Sequence, residues 1–203
     1  MKKIQVYAAF VVLTAVAGIG GAGAAVESAD SAKVQAGTYE VDPSHVSVAA
    51  RVDHLGFTMT TLRFTKLTGN FNYDPAKPEA STLDVTIDVA SLNSDWEARD
   101  KELRSPAFFN IAAHPQARYV ASSLEKIDAS NARVNGQLTL LGVTRPVQMN
   151  VRLQGTGKGM MGDQRTGFLA TMKFNRSDFG MKTFLPAIGD TVEVTVDAEF
   201  TRK

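Results

Sequence analysis

The chain has 203 residues, of which 44% are hydrophobic and 21% charged, a composition typical of a globular protein of one domain or two small ones. It contains no cysteine, which excludes a disulfide framework, thiolate metal sites and thiol catalysis. Lys and Arg together number 22 against 21 Asp and Glu. No strong overall field therefore attracts nucleic acid or an anionic membrane surface, and no nucleic-acid partner is predicted.

Residues 1–24 have the pattern of a signal peptide. Two lysines precede an almost wholly apolar run at 6–19, and residues 22–24 (AGA) form the small-x-small pattern that a signal peptidase cuts after. A retained membrane anchor is the alternative, but an anchor needs about 20 apolar residues and this run is shorter. The sequence predicts export to a bacterial periplasm, with cleavage near Ala24.

The segment that follows the signal peptide differs from the rest of the chain. Residues 25–37 are small and polar and show no periodicity, which predicts a flexible N-terminal tether. The folded domain is predicted to span residues 38–203.

From residue 38 onward the hydrophobic pattern has a period of two, which indicates strands with one solvated face. The alternation recurs in six stretches, at 46–52, 83–89, 134–140, 147–153, 168–174 and 192–200. Turn signals lie at 42–44, 74–78, 142–146 and 155–162, and Gly69 is expected to bend the long segment 59–73. Strands joined by short connections predict an antiparallel meander.

A single short helix is predicted between these strands. Ser94 and Glu97 have the spacing of a capping box. Trp96 and Leu103 fall near one face of the helix and are expected to cover one end of the sheet structure. Arg99 is expected to offer hydrogen bonds to a polar head group. In the alternative interpretation, Arg99 pairs with a local carboxylate and simply fixes the helix.

Seven or eight one-sided strands leave an apolar face that one short helix cannot cover, so the sheet must close or fold into two stacked sheets. We favour closure because it removes exposed edges and leaves room for one small ligand. The predicted fold is all-β, an antiparallel barrel of about eight strands with one short helix. A β-sandwich with a solid core, serving as an interaction module, is the alternative.

Five motifs occur in order at 54–56 (HLG), 71–75 (FNYDP), 99–105 (RDKELRS) with Phe108 and Phe109, 136–146 (GQLTLLGVTRP) and 175–180 (NRSDFG). Together they resemble the YceI-like family, and the likeness extends from about residue 38 to the end of the chain. The resemblance implies a periplasmic, lipocalin-like barrel that binds a polyisoprenoid lipid, such as an isoprenoid quinone or a polyprenyl phosphate.

Large apolar side chains on the inward faces are the main candidates for ligand contact, with Met favoured where a variable chain must fit. They are Phe64, Phe71, Phe108, Phe109, Tyr119, Met172, Phe174, Phe179 and Met181. His54 falls on the apolar face at a strand end, beside Leu55, where we expect a polar contact at the mouth of the cavity. In the alternative, His54 is a satisfied structural histidine.

The lead hypothesis is a non-enzymatic carrier that sequesters or transports the lipid, with no cofactor. A lipid-modifying hydrolase or isomerase would use His54 with Asp53, Asp100 or a nearby Ser, but no catalytic motif is present. His45 and His54 differ by nine positions and so face opposite sides of a regular strand, and no metal site is predicted. A homodimer and a transient contact with a membrane or membrane protein are left open.

Overall fold

The computed structural model of the protein describes residues 25–203, so the predicted signal peptide lies outside the described residues. Eleven β-strands and one α-helix are found in this part of the chain. The strands are β1 Ala25–Ser28, β2 Gly37–His54, β3 Thr58–Phe64, β4 Leu67–Tyr73, β5 Thr82–Asp88, β6 Leu92–Asn93, β7 Gln116–Lys126, β8 Asn131–Leu140, β9 Val143–Lys158, β10 Gln164–Asn175 and β11 Ile188–Arg202. The helix, α1, spans Glu97–Arg104.

Eight of the strands close into an antiparallel barrel, which confirms the predicted fold class. The ring runs β2-β4-β5-β7-β8-β9-β10-β11, and β11 pairs with β2 to complete it. The other three strands lie at its margins: β1 pairs with β9, β3 with the second half of β2, and β6 with β3. Because every strand of the ring has two neighbours, the barrel exposes no long unpaired edge.

The period-two alternation sets which side chains face the interior. In β2, Tyr39 and Val41 are buried, whereas Val48 and Ala50 are buried further along, so the inward phase changes from odd to even numbers. The change occurs at residues 42–45, where the pairing with β11 jumps from Val41 to Val46. The sequence predicts a turn at 42–44, but the structure has a bulge there and the strand continues.

The prediction of a tether at 25–37 is wrong for the residues that the structure describes. β1 pairs with the end of β9, which extends past the start of β8 and would otherwise leave an unpaired edge. A 3-10 helix follows at Ser31–Lys33, capped by the Asp30 carboxylate. Residues 29–36, which we call the strap, then cross this end of the barrel and lead into β2.

Specific hydrogen bonds hold the strap against the barrel end. The Ser31 N–H donates to Ala129 O at 2.8 Å, and Ser130 Oγ donates to Ala29 O at 2.6 Å, both in the β7–β8 turn. On the other side, the hydroxyl of Tyr73 donates to Ser31 O at 3.2 Å. Val34 of the strap is 3% exposed and contributes to the core. We call the end of the barrel that the strap crosses the strap end, and the opposite end the helix end.

At the helix end, α1 and the residues after it close the barrel. The predicted capping box is absent: α1 begins at Glu97 with Trp96 at the N-cap, and the Trp96 side chain makes no capping bond. Ser94 instead donates through its N–H and its hydroxyl to Asp100 Oδ1, at 2.8 and 2.5 Å. The Asp100 carboxylate is thereby satisfied although it is buried.

Within residues 25–203, no helix has both the length and the apolar character that crossing a membrane requires.

Candidate functional site: an apolar cavity along the barrel axis

A single elongated cavity of about 290 Å³ occupies the barrel interior and runs between the strap and the helix end. This is far more than the roughly 10–15 Å³ that one water molecule needs. Inward-facing side chains of all eight strands of the ring line it. The interior is therefore hollow, which contradicts the alternative of a solid-core β-sandwich.

Nine of the predicted ligand contacts lie in the cavity wall. Toward the strap end, Phe71 packs edge-on against Phe168 and Phe200, with ring centroids 5.4 and 4.9 Å apart. Toward the helix end, Phe64 packs edge-on against Phe109 at 5.8 Å. The nine residues are Phe64, Phe71, Leu103, Phe108, Phe109, Tyr119, Met172, Phe174 and Met181.

His54 and Leu55 do not reach the cavity, so the prediction that they form its mouth is wrong. His54 is the last residue of β2 and pairs with Ile188 and Thr58, but its side chain is exposed. Leu55 has a φ of 57° in the β2–β3 turn and is 53% exposed. The turn projects beyond the barrel wall, which carries both side chains outward.

Trp96 and Arg99 also lie outside the cavity. Trp96 is 62% exposed, because the face of α1 that covers the barrel carries Leu103 and not Trp96. Arg99 donates from Nε to Ser94 Oγ at 2.9 Å and from Nη2 to Ser94 O at 2.6 Å, and its guanidinium lies 5.5 Å from the Trp96 ring centre. Arg99 therefore fixes the start of the helix, as the alternative interpretation holds, but it does so through Ser94 and not through a carboxylate.

Phe179 is buried but lies behind the wall. It is 2% exposed and packs against Phe174 with ring centroids 5.2 Å apart, in the 3-10 helix Arg176–Phe179. Phe174 lines the cavity and Phe179 supports it from outside.

Most of the cavity wall is aliphatic, and the ligand contacts predicted from the sequence do not include these residues. Except at Leu62, which lies in the segment 59–73, the period-two pattern marks these positions as inward-facing, so the signal for them is present in the sequence. They include Val48, Ala50, Leu62, Val85, Ile87, Val134, Leu138, Met149, Val151, Ala170, Val194 and Val196.

Tyr119 is the wall residue whose titration is most altered. Its ring is 4% exposed, and its hydroxyl donates to Val147 O at 2.9 Å and reaches Val134 O at 3.2 Å. Burial raises the pKa of Tyr119 to about 12, because the ionised form would be poorly solvated. Tyr119 is therefore neutral at physiological pH and adds no charge to the cavity.

Arg176 brings a buried cation to the helix end of the wall. It is 3% exposed, and its guanidinium donates to four backbone carbonyls, those of Met181, Thr183, Ile188 and Gly189, at 2.8 to 3.1 Å. Burial lowers the pKa of Arg176, and the nearby Asp190 carboxylate opposes that shift. The carbonyls occupy most of its donors, so Arg176 organises the chain before β11.

A charged cluster lies at the β2 bulge, outside the cavity. Ligand atoms of Asp42, His45 and Glu199 all lie within 4.8 Å of one another, a convergence that the sequence did not predict. Arg165 Nη1 donates to Asp42 Oδ2 at 2.7 Å and to Glu199 Oε2 at 2.9 Å. Because the guanidinium already neutralises both carboxylates, the donor set does not fit a metal ion.

Comparison with known proteins agrees with this architecture. The model of the YceI-like domain matches residues 39–200. A "UPF0312 protein" of Shewanella baltica is 36% identical over 160 residues, which cover 79% of this chain and 84% of the relative.

Two solved structures share the fold. Burkholderia cenocepacia BcnA has a TM-score of 0.71 and 23% identity over 78% of this chain and 98% of that one. A Saccharophagus degradans domain, described as a polyisoprenoid binding domain implicated in plant cell wall breakdown, has a TM-score of 0.61 and 15% identity over 83% and 100% of the two chains. With the family model matched over most of its length, the chain belongs to the YceI-like family.

Proposed function

We propose that this protein binds a long-chain polyisoprenoid lipid inside the barrel and sequesters or transports it without chemical change. The observation that carries the proposal is the elongated apolar cavity, which the protein's own side chains leave unfilled. The YceI-like family, and a fold shared with a domain described as polyisoprenoid-binding, support a ligand of this class.

Burial of the lipid tail supplies the driving force. Each buried methylene contributes about 0.8 kcal/mol, so a long chain gains affinity without any directed polar contact. The cavity wall is mostly aliphatic and aromatic, so it does not require a ligand that is polar along its length. A chain of repeated apolar units matches the chemistry of this cavity.

The wall offers little support for the alternative of a lipid-modifying enzyme. Asp100 Oδ1 accepts two hydrogen bonds from Ser94, and Asp53 Oδ2 accepts the Gly56 N–H at 2.9 Å. Both carboxylates that the alternative would pair with His54 are therefore engaged elsewhere. The exposed His54 lies outside the cavity where such a lipid would be held.

The location proposed for this carrier is the periplasm, on the basis of the signal-peptide pattern at residues 1–24. An exported carrier would protect an isoprenoid chain from water between the membrane that releases it and the site that uses it.

Native purification followed by extraction and mass spectrometry tests the proposal. We expect the protein, expressed with its signal sequence and isolated without detergent, to release a polyisoprenoid in near-stoichiometric amount. Delipidated protein should then take up both a polyprenyl phosphate and an isoprenoid quinone from detergent micelles. Failure to release or take up any isoprenoid would contradict the proposal.

A further inference from the structure

Two loops at the helix end carry large apolar side chains that the fold leaves in solvent. Leu55 and Phe57 lie in the turn between β2 and β3, and Phe184 lies in the loop that leads into β11. All three residues are more than half exposed, and Phe57 is 83% exposed. We call these three residues the apolar tip. Because they add nothing to the core, burial within the barrel does not account for their apolar character.

The two loops lie side by side. The Leu55 N–H donates to Ala187 O at 2.9 Å, and His54 pairs with Ile188 in the ladder between β2 and β11. The Ile188 N–H in turn donates to Phe184 O at 2.8 Å. Exposed apolar residues that occur singly are ordinary on a protein surface, whereas a group of them at one place indicates an interaction site. The apolar tip is such a group.

The backbone holds two of these residues in a conformation that large side chains disfavour. Leu55 has a φ of 57° and Gly56 a φ of 74°, and the Phe57 N–H donates to His54 O at 3.0 Å. In a tight hairpin turn of this kind, Asn, Asp and Gly are the favoured residues. Phe184 likewise has a φ of 62°. Leucine and phenylalanine are therefore unfavourable for the local structure at positions 55 and 184, and such strain is typical of functional sites.

The apolar tip continues the wall of the cavity. The ring of Phe184 packs against the ring of Phe108, with centroids 5.9 Å apart, and Phe108 lines the cavity. Met181 and Ile188, on either side of the loop, line it as well. Apolar surface therefore extends from the cavity through Phe108 to the outside of the barrel at this end.

The size and chemistry of the apolar tip suit a bilayer better than a protein partner. A stable protein interface buries about 800 Å² on each side, whereas one aromatic side chain supplies about 150–250 Å². Three side chains on two loops fall well short of that area, but a bilayer accepts apolar side chains without a complementary surface. Lys182 is exposed in the same loop as Phe184, where its ammonium can meet lipid phosphates.

We infer that the apolar tip inserts into a phospholipid bilayer, so that the barrel docks on a membrane by its helix end. Leu55 and Phe57 enter the bilayer from the hairpin turn, and Phe184 enters beside them. The contact of Phe184 with Phe108 then puts the end of the cavity next to the acyl chains. This inference rests on the proposed function, because a lipid ligand is what requires contact with a membrane.

The double variant Leu55→Asn/Phe57→Ser tests the docking. The protein is floated in a density gradient with vesicles of phosphatidylethanolamine and phosphatidylglycerol that contain no isoprenoid. We expect the affinity of the variant for the vesicles to fall about tenfold or more, because two side chains lose their transfer into the bilayer. The variant should unfold at the wild-type temperature or above, since asparagine suits the φ of residue 55. A lower unfolding temperature with unchanged vesicle binding would show a purely structural role and overturn the inference.

Met160→Ser/Met161→Ser is the matched control. These methionines lie in the turn between β9 and β10 at the strap end and are almost fully exposed, and residues 159–163 do not line the cavity. The variant should bind vesicles within about twofold of wild type. Loss of vesicle binding in this variant alone would show that the strap end docks, and would overturn the inference. Mass spectrometry confirms for every protein that the apolar run at 6–19 has been removed, because that run would itself enter lipid.

Two further measurements separate the docking from the proposed function and from self-association. Wild type that takes up an isoprenoid from detergent micelles but does not bind vesicles would overturn the docking and leave the proposed function intact. Vesicle binding without isoprenoid uptake would support the docking and contradict the proposed function. A wild-type dimer in sedimentation that Leu55→Asn/Phe57→Ser dissociates would show that a second copy covers the apolar tip, and would overturn the inference.

The depth of insertion is measured with a single tryptophan. Trp96 is the one tryptophan of the chain, so Phe57→Trp/Trp96→Phe carries its only fluorophore of this kind at the apolar tip. On vesicles, we expect its emission to shift to shorter wavelength and to be quenched by brominated acyl chains. Met161→Trp/Trp96→Phe places the tryptophan at the strap end and should show neither change. Quenching at residue 161 but not at residue 57 would overturn the inference.

Discussion

The ring of Tyr119 lies so close to Gly136 that a Cβ on this glycine would come within 2.4 Å of the ring Cζ. Gly136 is on β8 and Tyr119 on β7, and their strands are paired. The absence of a side chain at Gly136 lets the tyrosine lie flat against the barrel wall and reach Val147 O on β9 with its hydroxyl. One glycine thus determines how a cavity-lining ring packs across three strands.

Gly136→Ala should therefore destabilise the barrel. The added methyl group must displace the Tyr119 ring, and overpacking of this kind costs about 1–3 kcal/mol. Gly167→Ala is the matched control, because the nearest atom to a Cβ there is Glu199 Cγ at 4.0 Å. Its effect should stay within about 0.5 kcal/mol. Urea denaturation measures both, and equal stabilities of the two variants would contradict the close packing.

Tyr119 should also make the protein sensitive to alkali. Its pKa is raised to about 12 by burial, whereas an unfolded tyrosine titrates near 10. The stability that depends on the neutral phenol is therefore complete below about pH 10 and is lost as the pH rises through about 12. The free energy of unfolding, measured at several pH values from 8 to 12, should fall across this window.

The variant Tyr119→Phe separates the contribution of Tyr119 to the alkaline loss of stability from the contributions of other groups. At neutral pH the variant should lose about 1–2 kcal/mol, because the carbonyls of Val147 and Val134 lose their donor. Its alkaline decline should be shallower than that of wild type. Burial also raises the pKa of Tyr39, so the variant should keep the part of the alkaline loss of stability that Tyr39 causes. An alkaline decline identical to wild type would show that Tyr119 is not its source.

The closed barrel could be predicted from the sequence because period-two alternation in many strands, with one short helix, leaves an apolar face that only closure can cover. Which individual side chains face the cavity is harder to predict than the fold. Helical spacing puts Trp96 and Leu103 near one face but does not show how α1 is rotated against the barrel, and Leu103 alone lines the cavity.

The strap could not be predicted from residues 25–37 alone. Ala25–Ser28 becomes a strand only because β9 extends beyond β8 and offers it an edge. Such features depend on contacts between distant segments, which no periodicity records.

Asp42 should make the protein sensitive to acid. Hydrogen bonds from Ser44, His45 and Arg165 hold the pKa of the Asp42 carboxyl well below its ordinary value. The stability that the carboxylate contributes is therefore present above about pH 4, where the unfolded residue ionises, and is lost as the pH falls through the depressed pKa.

Asp42→Asn should cost about 1 kcal/mol at pH 7 and give a shallower loss of stability below pH 4. The loss arises because Arg165 and His45 keep their positions without the carboxylate between them. Asp74→Asn is the control, since Asp74 has no cation within 4.0 Å among the described residues. Unfolding curves from pH 2 to 7 provide the comparison. Parallel acid profiles for wild type and Asp42→Asn would exclude this carboxyl as a source.

Arg176→Lys should be strongly destabilising although it keeps the charge. A lysine ammonium is a point charge with three donors and cannot span the four carbonyls that the planar guanidinium joins. We expect a loss of about 2–4 kcal/mol and faster proteolysis within residues 181–189. Arg145→Lys is the control, because Arg145 is exposed and, within residues 25–203, its side chain bonds only to Thr144 O. Comparable stability of the two variants would contradict this role.

Ala50 and Ala49 allow the cavity itself to be tested with neighbouring substitutions. Ala50 is 7% exposed and lines the cavity, whereas Ala49 faces the other side of β2. Ala50→Phe should fill part of the cavity and reduce lipid uptake at least tenfold, while Ala49→Phe should leave uptake unchanged. Both proteins should keep the circular dichroism of a β-barrel. In Ala50→Phe the cavity has space for the added ring, and in Ala49→Phe the ring lies on the outer face of β2. If Ala50→Phe folds and still takes up lipid as wild type does, the lipid is bound outside the barrel.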